Sequence, residues 1–367
     1  MVVIQNYLAL GLLNVAVLVL LMLMVVHNGG IGRGRRGSYL TAILATVVAV
    51  VCELYAVLFE GGLASVRWLY VASSAVGFAV TPAIPVLLAS VFGDTGARVT
   101  WLNLIPCALN ALLAALSPFF GFIFDISPDG AYRRGALFGV FIAAYLWAML
   151  VMFRTVVETG RRYQYHFRFK LAALFVFIIL GTSIQVALPD IHATWTAITL
   201  AMALYYGFVC EFNDTLDVLT KLYNRKSYEN EIDRLKKKGR FSVIVMDVDD
   251  FKKVNDRYGH PYGDQCLHRL ADLVQQAFCR VGTCYRIGGD EFCVLARTVD
   301  EKKVAAALGQ LNEGLDRLRA ENPLLPVLSY GWQVCVGNSE NCLDKTIRAA
   351  DRQMYENKAR RKSEKAE

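Results

Sequence analysis

Two short acidic segments hold the residues of this chain best suited to chemistry. "RIGGDEF", residues 286–292, lies between the apolar runs "VGTCY" and "CVLA". Gly288 and Gly289 mark a hairpin turn there, because glycine tolerates the positive φ that such turns need. On that reading alone Asp290 and Glu291 are turn residues. The second segment is "MDVDDFKKVNDRYGHPYGD", residues 246–264, where a buried apolar strand ends in Asp247, Asp249 and Asp250. The carboxyl end of a central strand is where α/β folds place their sites. Acid clusters at neighbouring strand ends repel unless a cation lies between them, and hard oxygen ligands suit Mg²⁺ with a phosphate-bearing substrate. Taken alone, the same segment also reads as a solvated charged loop.

The elements that must hold these acids follow from the surrounding pattern. Beyond residue 212 the spacing predicts a helix over about 224–238, a strand at 241–248 ("FSVIVMDV"), a helix over 261–279, and strands at 283–287 and 292–297. A helix over 300–320, a strand at 327–336 and a helix over 343–361 complete the pattern. The first strand is an almost continuous apolar run, as expected of a central strand covered on both faces. Alternating strands and helices make a single α/β sandwich the expected fold of residues 213–367.

The first half is of a different kind. The 367-residue chain is 55% hydrophobic, too apolar for an ordinary soluble protein, and most of the excess lies within residues 1–212. Seven stretches reach or approach the about 20 apolar residues that a spanning helix needs: 6–27, 38–59, 68–92, 101–125, 135–154, 171–188 and 194–212. The first is too long for a signal-peptide core, and no small-residue cleavage site follows it, so a retained helix is expected. With the N-terminus outside, the inside loops hold Arg33, Arg35, Arg36, Arg98, Arg161, Arg162, Arg168 and Lys170. The outside loops then hold only Arg67, Arg133 and Arg134. The basic excess inside favours that orientation, and seven crossings deliver residues 213–367 to the cytoplasm. Near residue 212 "YYGFVCEF" gives way to a polar sequence without a long linker.

Composition narrows the partners. The net charge of +7 is modest and split between both halves; it carries no nucleic-acid signal and matches a lipid bilayer with anionic headgroups. Nine cysteines are scattered singly, without metal-site spacing, and read as reduced core thiols. Glu53, Asn103, Asn110 and Gln185 fall within the apolar stretches. A carboxylate in that setting points either to sensing of a ligand or proton or to a hydrogen bond with a neighbouring helix.

Together the soluble motifs resemble those of the GGDEF-domain diguanylate cyclases over about residues 213–362. "DVLTKLYNR" (217–225) resembles the domain's opening turn, "DVDDFKKVND" (247–256) its metal and phosphate segment, and "YGHPYGD" (258–264) the segment completing base recognition. "RIGGDEF" is the signature, "SYG" (329–331) resembles the final strand and "AADRQMYENK" (349–358) the closing helix. The resemblance implies a ferredoxin-like, class III cyclase-like α/β domain behind a multi-pass α-helical membrane domain in a bacterial inner membrane. It implies two Mg²⁺ ions (or Mn²⁺) on the Asp247 carboxylate, the Val248 carbonyl and Asp290, with Glu291 assisting. It further implies terminal phosphates on the amides of Asp250 and Phe251 and on Lys252 and Lys358, with guanine read by Asn255 and Asp264. Considered alone, Asn255 also reads as a helix cap, and Lys358 as an exposed helix-end lysine.

The implied reaction condenses two GTP into cyclic di-GMP and two pyrophosphates across a required homodimer, with Asp290 accepting a proton or holding a metal. An unidentified sensory ligand would act on the membrane half. The alternative is a catalytically silent receptor that binds GTP or cyclic di-GMP and signals by contact. Two departures qualify the resemblance. Many relatives carry an Arg-x-x-Asp product-inhibition motif at positions occupied here by Cys279 and Gly282, so no product-inhibition site is expected. The family's closing Gly-Arg-Asn is replaced within "ARRKSEKAE", where Lys362 stands for the arginine and keeps its charge without the bidentate fork.

Overall fold

The computed structural model describes residues 2–28, 33–59, 67–91, 100–128, 130–162, 167–187, 193–236, 239–337 and 340–364. The chain divides into two units, Met1–Glu211 and Phe212–Glu367.

The first unit is built from apolar helices: α1 (Val2–His27), α2 (Arg33–Phe59), α3 (Arg67–Val80), α4 (Ala83–Ser90), α5 (Ile105–Phe120), α6 (Phe138–Arg162), α7 (Phe167–Ala187) and α8 (Thr194–Thr215), the last crossing into the second unit. Among the described residues, six helical stretches are long and apolar enough to cross a membrane: Gln5–His27, Gly34–Phe59, Arg67–Ser90, Trp101–Phe120, Phe138–Thr159 and Thr194–Thr215. The seventh expected crossing, 171–188, falls on α7, whose apolar stretch is only Ala172–Gly181.

Two expected helices differ in form. The third is broken between α3 and α4, where Pro82 lacks the N–H that would continue the ladder. The helix expected over 101–125 ends at Phe120, because Gly121 takes the left-handed conformation (φ 64°) that terminates helices. A hairpin follows instead, β1 (Phe124–Ile126) paired with β2 (Tyr132–Arg134). The Trp195 indole N–H donates to Glu53, and Asn110 Nδ2 donates to the Phe78 carbonyl at 2.8 Å. Both polar groups thus bind neighbouring helices. Asn103 lies in a short 3₁₀ turn, 101–104. Arg98 and the side chains of Arg161, Arg162, Arg168 and Gln185 lie outside the described residues.

The second unit contains α9 (Arg225–Leu235), β3 (Arg240–Val248), α10 (Phe251–Tyr258), α11 (His260–Phe278), β4 (Gly282–Arg286), β5 (Glu291–Ala296), α12 (Glu301–Glu321), β6 (Leu328–Val336) and α13 (Glu340–Glu364). Its strands form one antiparallel sheet in the order β4-β5-β3-β6, the ferredoxin-like arrangement expected. Every residue of β3 except Arg240 is buried, which explains its unbroken apolar run. Ile244, Met246 and Val248 share a core with Phe292, Val294 and residues of α11 and α12 such as Leu270, Val274 and Leu311. Residues of β3 alternate in direction, so Asp247 points to the other face, where Lys358 of α13 meets it.

The helix expected over 224–238 ends at Leu235; its cap is Asn224, whose Oδ1 accepts from Ser227 N at 3.0 Å. Helix α10 has no counterpart among the elements that the sequence pattern predicts. It has eight residues, of which only Phe251 and Val254 pack against the core, too few to reveal a period. Gly259, with φ 82°, separates it from α11.

Gly331 sets how closely α13 approaches β6. A Cβ there would lie 2.1 Å from the Ala350 carbonyl oxygen and 2.5 Å from Met354 N. Gln353 Oε1 accepts from Trp332 N at 2.8 Å, and Asn357 Nδ2 donates to the Tyr330 carbonyl at 2.7 Å, fixing the same contact. Gly331→Ala should therefore destabilise the protein by about 1–3 kcal/mol in denaturant unfolding. An unchanged midpoint would show that α13 yields freely.

Candidate active site

Strand β3 delivers Asp247 opposite Glu291 of β5 on one side and Ser329 of β6 on the other. The signature turn is tied to this strand end, since Val248 N donates to the Asp290 carbonyl at 3.1 Å and Ile287 N to the Glu291 carbonyl at 3.0 Å. Asp249 N donates to the Val327 carbonyl at 2.8 Å, and its carboxylate accepts from Ser329 Oγ at 2.9 Å. Acids from two strand ends are thereby gathered on one rim.

The turn glycines serve a different purpose from the one expected. Neither Gly288 nor Gly289 has a positive φ. A Cβ on Gly288 would lie 2.5 Å from Glu291 Oε2, so a side chain there would make the carboxylate move. Gly289 faces open space, with no atom within 4 Å of where a Cβ would stand, which leaves its backbone approachable.

Arg286 fixes the turn. Its Nε and Nη2 donate to the Gly289 carbonyl at 3.2 and 2.7 Å, and its Nη1 pairs with Asp217 Oδ1 at 2.9 Å. Asp217 also accepts from Thr220 N at 2.8 Å and Thr220 Oγ1 at 2.7 Å. The opening turn is itself bonded to the sheet edge: Tyr223 N donates to the Cys284 carbonyl at 3.1 Å and Arg286 N to the Tyr223 carbonyl at 2.8 Å. Sequence reasoning assigns no role to Arg286, Asp217 or Ser329. The first two are visible there only as members of "RIGGDEF" and "DVLTKLYNR", motifs separated by about 60 residues of chain that folding alone brings together.

The electrostatics follow from crowding. Burial, then the charges of Asp247, Asp290 and Asp351, push the Glu291 carboxyl above its ordinary range, with Arg225 opposing. Asp249 is also pushed up, by burial first, against the Ser329 hydrogen bond and the Lys358 and Arg361 charges. Burial works against the Lys358 ammonium, but its bond to Asp247 and the charges of Asp249 and Asp290 outweigh this and hold its pKa up. Lys358 is thus a counterion on the acid rim in the free domain, rather than an exposed helix-end lysine.

The remaining expected residues lie around this rim. Asp250 adopts the left-handed conformation (φ 54°) as α10 begins, and the first-turn amides of a helix have no intrahelical acceptor. Its carboxylate pairs with Lys253 at 3.0 Å; Lys252 is exposed. Asn255 lies inside α10 and is not a cap. Its Oδ1 is buried without a partner, and a Cβ on Gly263 would fall 1.9 Å from it. Glycine at 263 is what lets the carboxamide lie there, with Asp264 exposed on the next position of α11. The Lys362 side chain lies outside the described residues.

Among the described residues no three His, Cys, Asp or Glu side chains form a ready-made metal cage. The donor set is nonetheless all hard oxygen, with Glu291 crowded by Asp247, Asp290 and Asp351. An incomplete oxygen shell of this kind fits a cation that keeps waters and takes substrate phosphates as further ligands, as Mg²⁺ does.

At the product-inhibition positions Cys279 is exposed at the end of α11 and Gly282 is buried at the start of β4. A Cβ on Gly282 would lie 2.7 Å from Ala296 Cα and from the Leu295 carbonyl oxygen.

Residues 214–364 match the family described as "Diguanylate cyclase, GGDEF domain", and that stretch of the chain is a GGDEF domain. Proteins of this family generally use divalent metal ions. Similar proteins include the probable diguanylate cyclase DgcT of Escherichia coli K12, 33% identical over 150 residues, covering 39% of this chain and 33% of its own. Diguanylate cyclase DgcS of Shewanella oneidensis is 42% identical over 86 residues, covering 22% of this chain and 29% of its own. Among solved structures, the GGDEF domain of DgcB from Caulobacter crescentus in complex with c-di-GMP is 28% identical. It covers 40% of this chain and 90% of that chain, with a TM-score of 0.35. The chain spans about a third of the length of the curated relatives it matches.

The Asp217–Arg286 clamp gives a pH-dependent expectation. Burial raises the Asp217 pKa, but its bonds to Thr220 and Arg286 win and hold it below the ordinary 3.8. The stability it contributes is therefore present above that value and is lost as pH falls through the lower folded-state value. Asp217→Asn should cost roughly 1 kcal/mol at neutral pH, a difference that narrows below about pH 4 in parallel urea titrations. A difference that persists unchanged in acid would show that the clamp contributes nothing through its charge.

Proposed function

We propose that this chain is a membrane-anchored diguanylate cyclase that condenses two GTP into cyclic di-GMP and two pyrophosphates. The observation that carries the reading is the acid rim of Asp247, Asp290 and Glu291, with the Lys358 ammonium seated on Asp247. A turn and a strand end locked in that way form an anionic site with the Lys358 ammonium as a counterion.

In this proposal the terminal phosphates rest on the amides of Asp250 and Phe251 at the start of α10. Lys252 and Lys358 neutralise them, and Lys358 exchanges Asp247 for phosphate as its partner. Asn255 and Asp264 meet the O6, N1 and N2 edge of guanine; adenine would leave the carboxylate unpaired, a loss of about 1–3 kcal/mol. Asp247, Asp290, Glu291 and the Val248 carbonyl would hold divalent cations, two Mg²⁺ or Mn²⁺ per site, which supply charge neutralisation at the α-phosphorus and acidify the attacking hydroxyl. In this reading Asp290 accepts the 3′-hydroxyl proton or holds the metal that acidifies it. Each GTP attacks the other from a facing domain, so the active unit is a homodimer whose catalysis is chiefly positioning. The apolar helices anchor it in a bacterial inner membrane with the N-terminus outside and the GGDEF domain in the cytoplasm, where they set the spacing of the two domains in response to an unidentified ligand.

With GTP and Mg²⁺, the purified protein should release pyrophosphate and cyclic di-GMP, and Asp290→Ala should lose on the order of 10²–10³-fold or more in rate. If wild type and Asp290→Ala were equally inactive with dimerisation enforced, while GTP still bound, the silent-receptor alternative would replace this reading. Cyclic di-GMP added at micromolar concentration should leave the initial rate unchanged. Inhibition there would mean that a product site exists despite Cys279 and Gly282.

A further inference from the structure

The sequence shows nine separate cysteines, but folding joins two of them. Cys335, near the end of β6, and Cys342, in the first turn of α13, bring their Sγ atoms to 2.9 Å. A disulfide bond is about 2.05 Å long, so less than an ångström separates contact from covalency. By contrast Cys284 and Cys293 are sealed inside the domain.

We propose that Cys335 and Cys342 are an oxidative modification site, forming a reversible disulfide between β6 and α13 by exchange with a low-molecular-weight disulfide. The two thiols differ in access. Cys335 is 1% exposed, whereas Cys342 is partly exposed. Burial, with the neighbouring Cys342 sulfur adding to it, pushes the Cys335 thiol up. Cys342 is therefore the first nucleophile and Cys335 the resolving thiol. Cys342 sulfur, as thiolate, attacks the reagent RSSR, forming Cys342–S–SR and expelling RS⁻. Cys335 then loses its proton to solvent and attacks the Cys342 sulfur, expelling the second RS⁻. Two protein thiols are oxidised to one cystine and RSSR is reduced to two thiols, so the electrons balance.

The surroundings hold the pair in place. Thr346 Oγ1 donates to the Cys342 carbonyl at 2.7 Å, and Gly337 N donates to the Gly239 carbonyl at 2.8 Å. A Cβ on Gly337 would sit 3.3 Å from Cys342 Sγ, so glycine there leaves the sulfur its room. Intracellular disulfides are as a rule transient and redox-sensing, and the tether would fix the start of the helix that carries Lys358 to Asp247.

The test uses the full chain in detergent, treated with oxidised glutathione, quenched with iodoacetamide and digested with trypsin. Residues 320–345 form one tryptic peptide holding both cysteines and no other. That peptide should emerge two hydrogens lighter and without alkylation, and dithiothreitol should restore both thiols. Exposed Cys279 reports that the reagent reacted. Cys335→Ser should instead stop at a stable glutathione adduct on Cys342. A wild-type peptide carrying two alkyl groups, or a persistent adduct, while Cys279 is modified, would overturn the proposal, and neither result depends on whether the variant folds.

Discussion

The mutual repulsion of carboxylates at one end of the sheet is the constraint on which the second unit depends. Asp247 and Glu291 are direct cross-strand partners, a pairing that is destabilising when both are charged, and Asp249 and Asp290 lie beside them. The fold offsets this locally with the Lys358 ammonium, the Ser329 hydroxyl and the nearby charge of Arg361. The offset is partial, since Glu291 and Asp249 both remain pushed toward their neutral forms. A site left in that condition favours any ligand set that brings positive charge, and the cluster is maintained because the backbone bonds between β3 and the signature turn do not allow the acids to spread.

Much of this arrangement is legible in the sequence, for physical reasons. An almost continuous apolar run of strand length that ends in acids reads as a central strand, and β3 is buried from Phe241 onward. Period and flanking turns locate β4, β5, α12 and β6 to within a residue or two. What escapes is governed by contacts between distant segments. Helix α10 is short and polar, so its apolar residues show no repeat. The glycines of the signature suggest a demand of backbone conformation, whereas neither has a positive φ and Gly288 leaves room for the Glu291 carboxylate. Arg286 joins two motifs whose relation is invisible in one dimension, and the touching sulfurs of Cys335 and Cys342 are likewise a property of the β6–α13 packing.

In the first unit hydropathy locates the helices but not their interruptions. Pro82 and Gly121 divide or end what composition presents as continuous apolar stretches. Polar groups within these helices are tied across them: Trp195 to Glu53, Tyr39 OH to the Met202 carbonyl, and Tyr205 OH to the Leu88 carbonyl at 2.8 Å. Helix α8 contributes Trp195, Met202 and Tyr205 to these bonds, so the helix that continues to Thr215 is also heavily stitched to its neighbours.

Gly282 limits what the start of β4 can accept. Its missing side chain lets β4 lie directly on Ala296 of β5. An acid introduced there alone would have to push apart a strand pair that also supports the signature turn, and an arginine at 279 alone would find no acid to complete its motif. Any side chain at 282 thus costs strand packing before it can meet a partner.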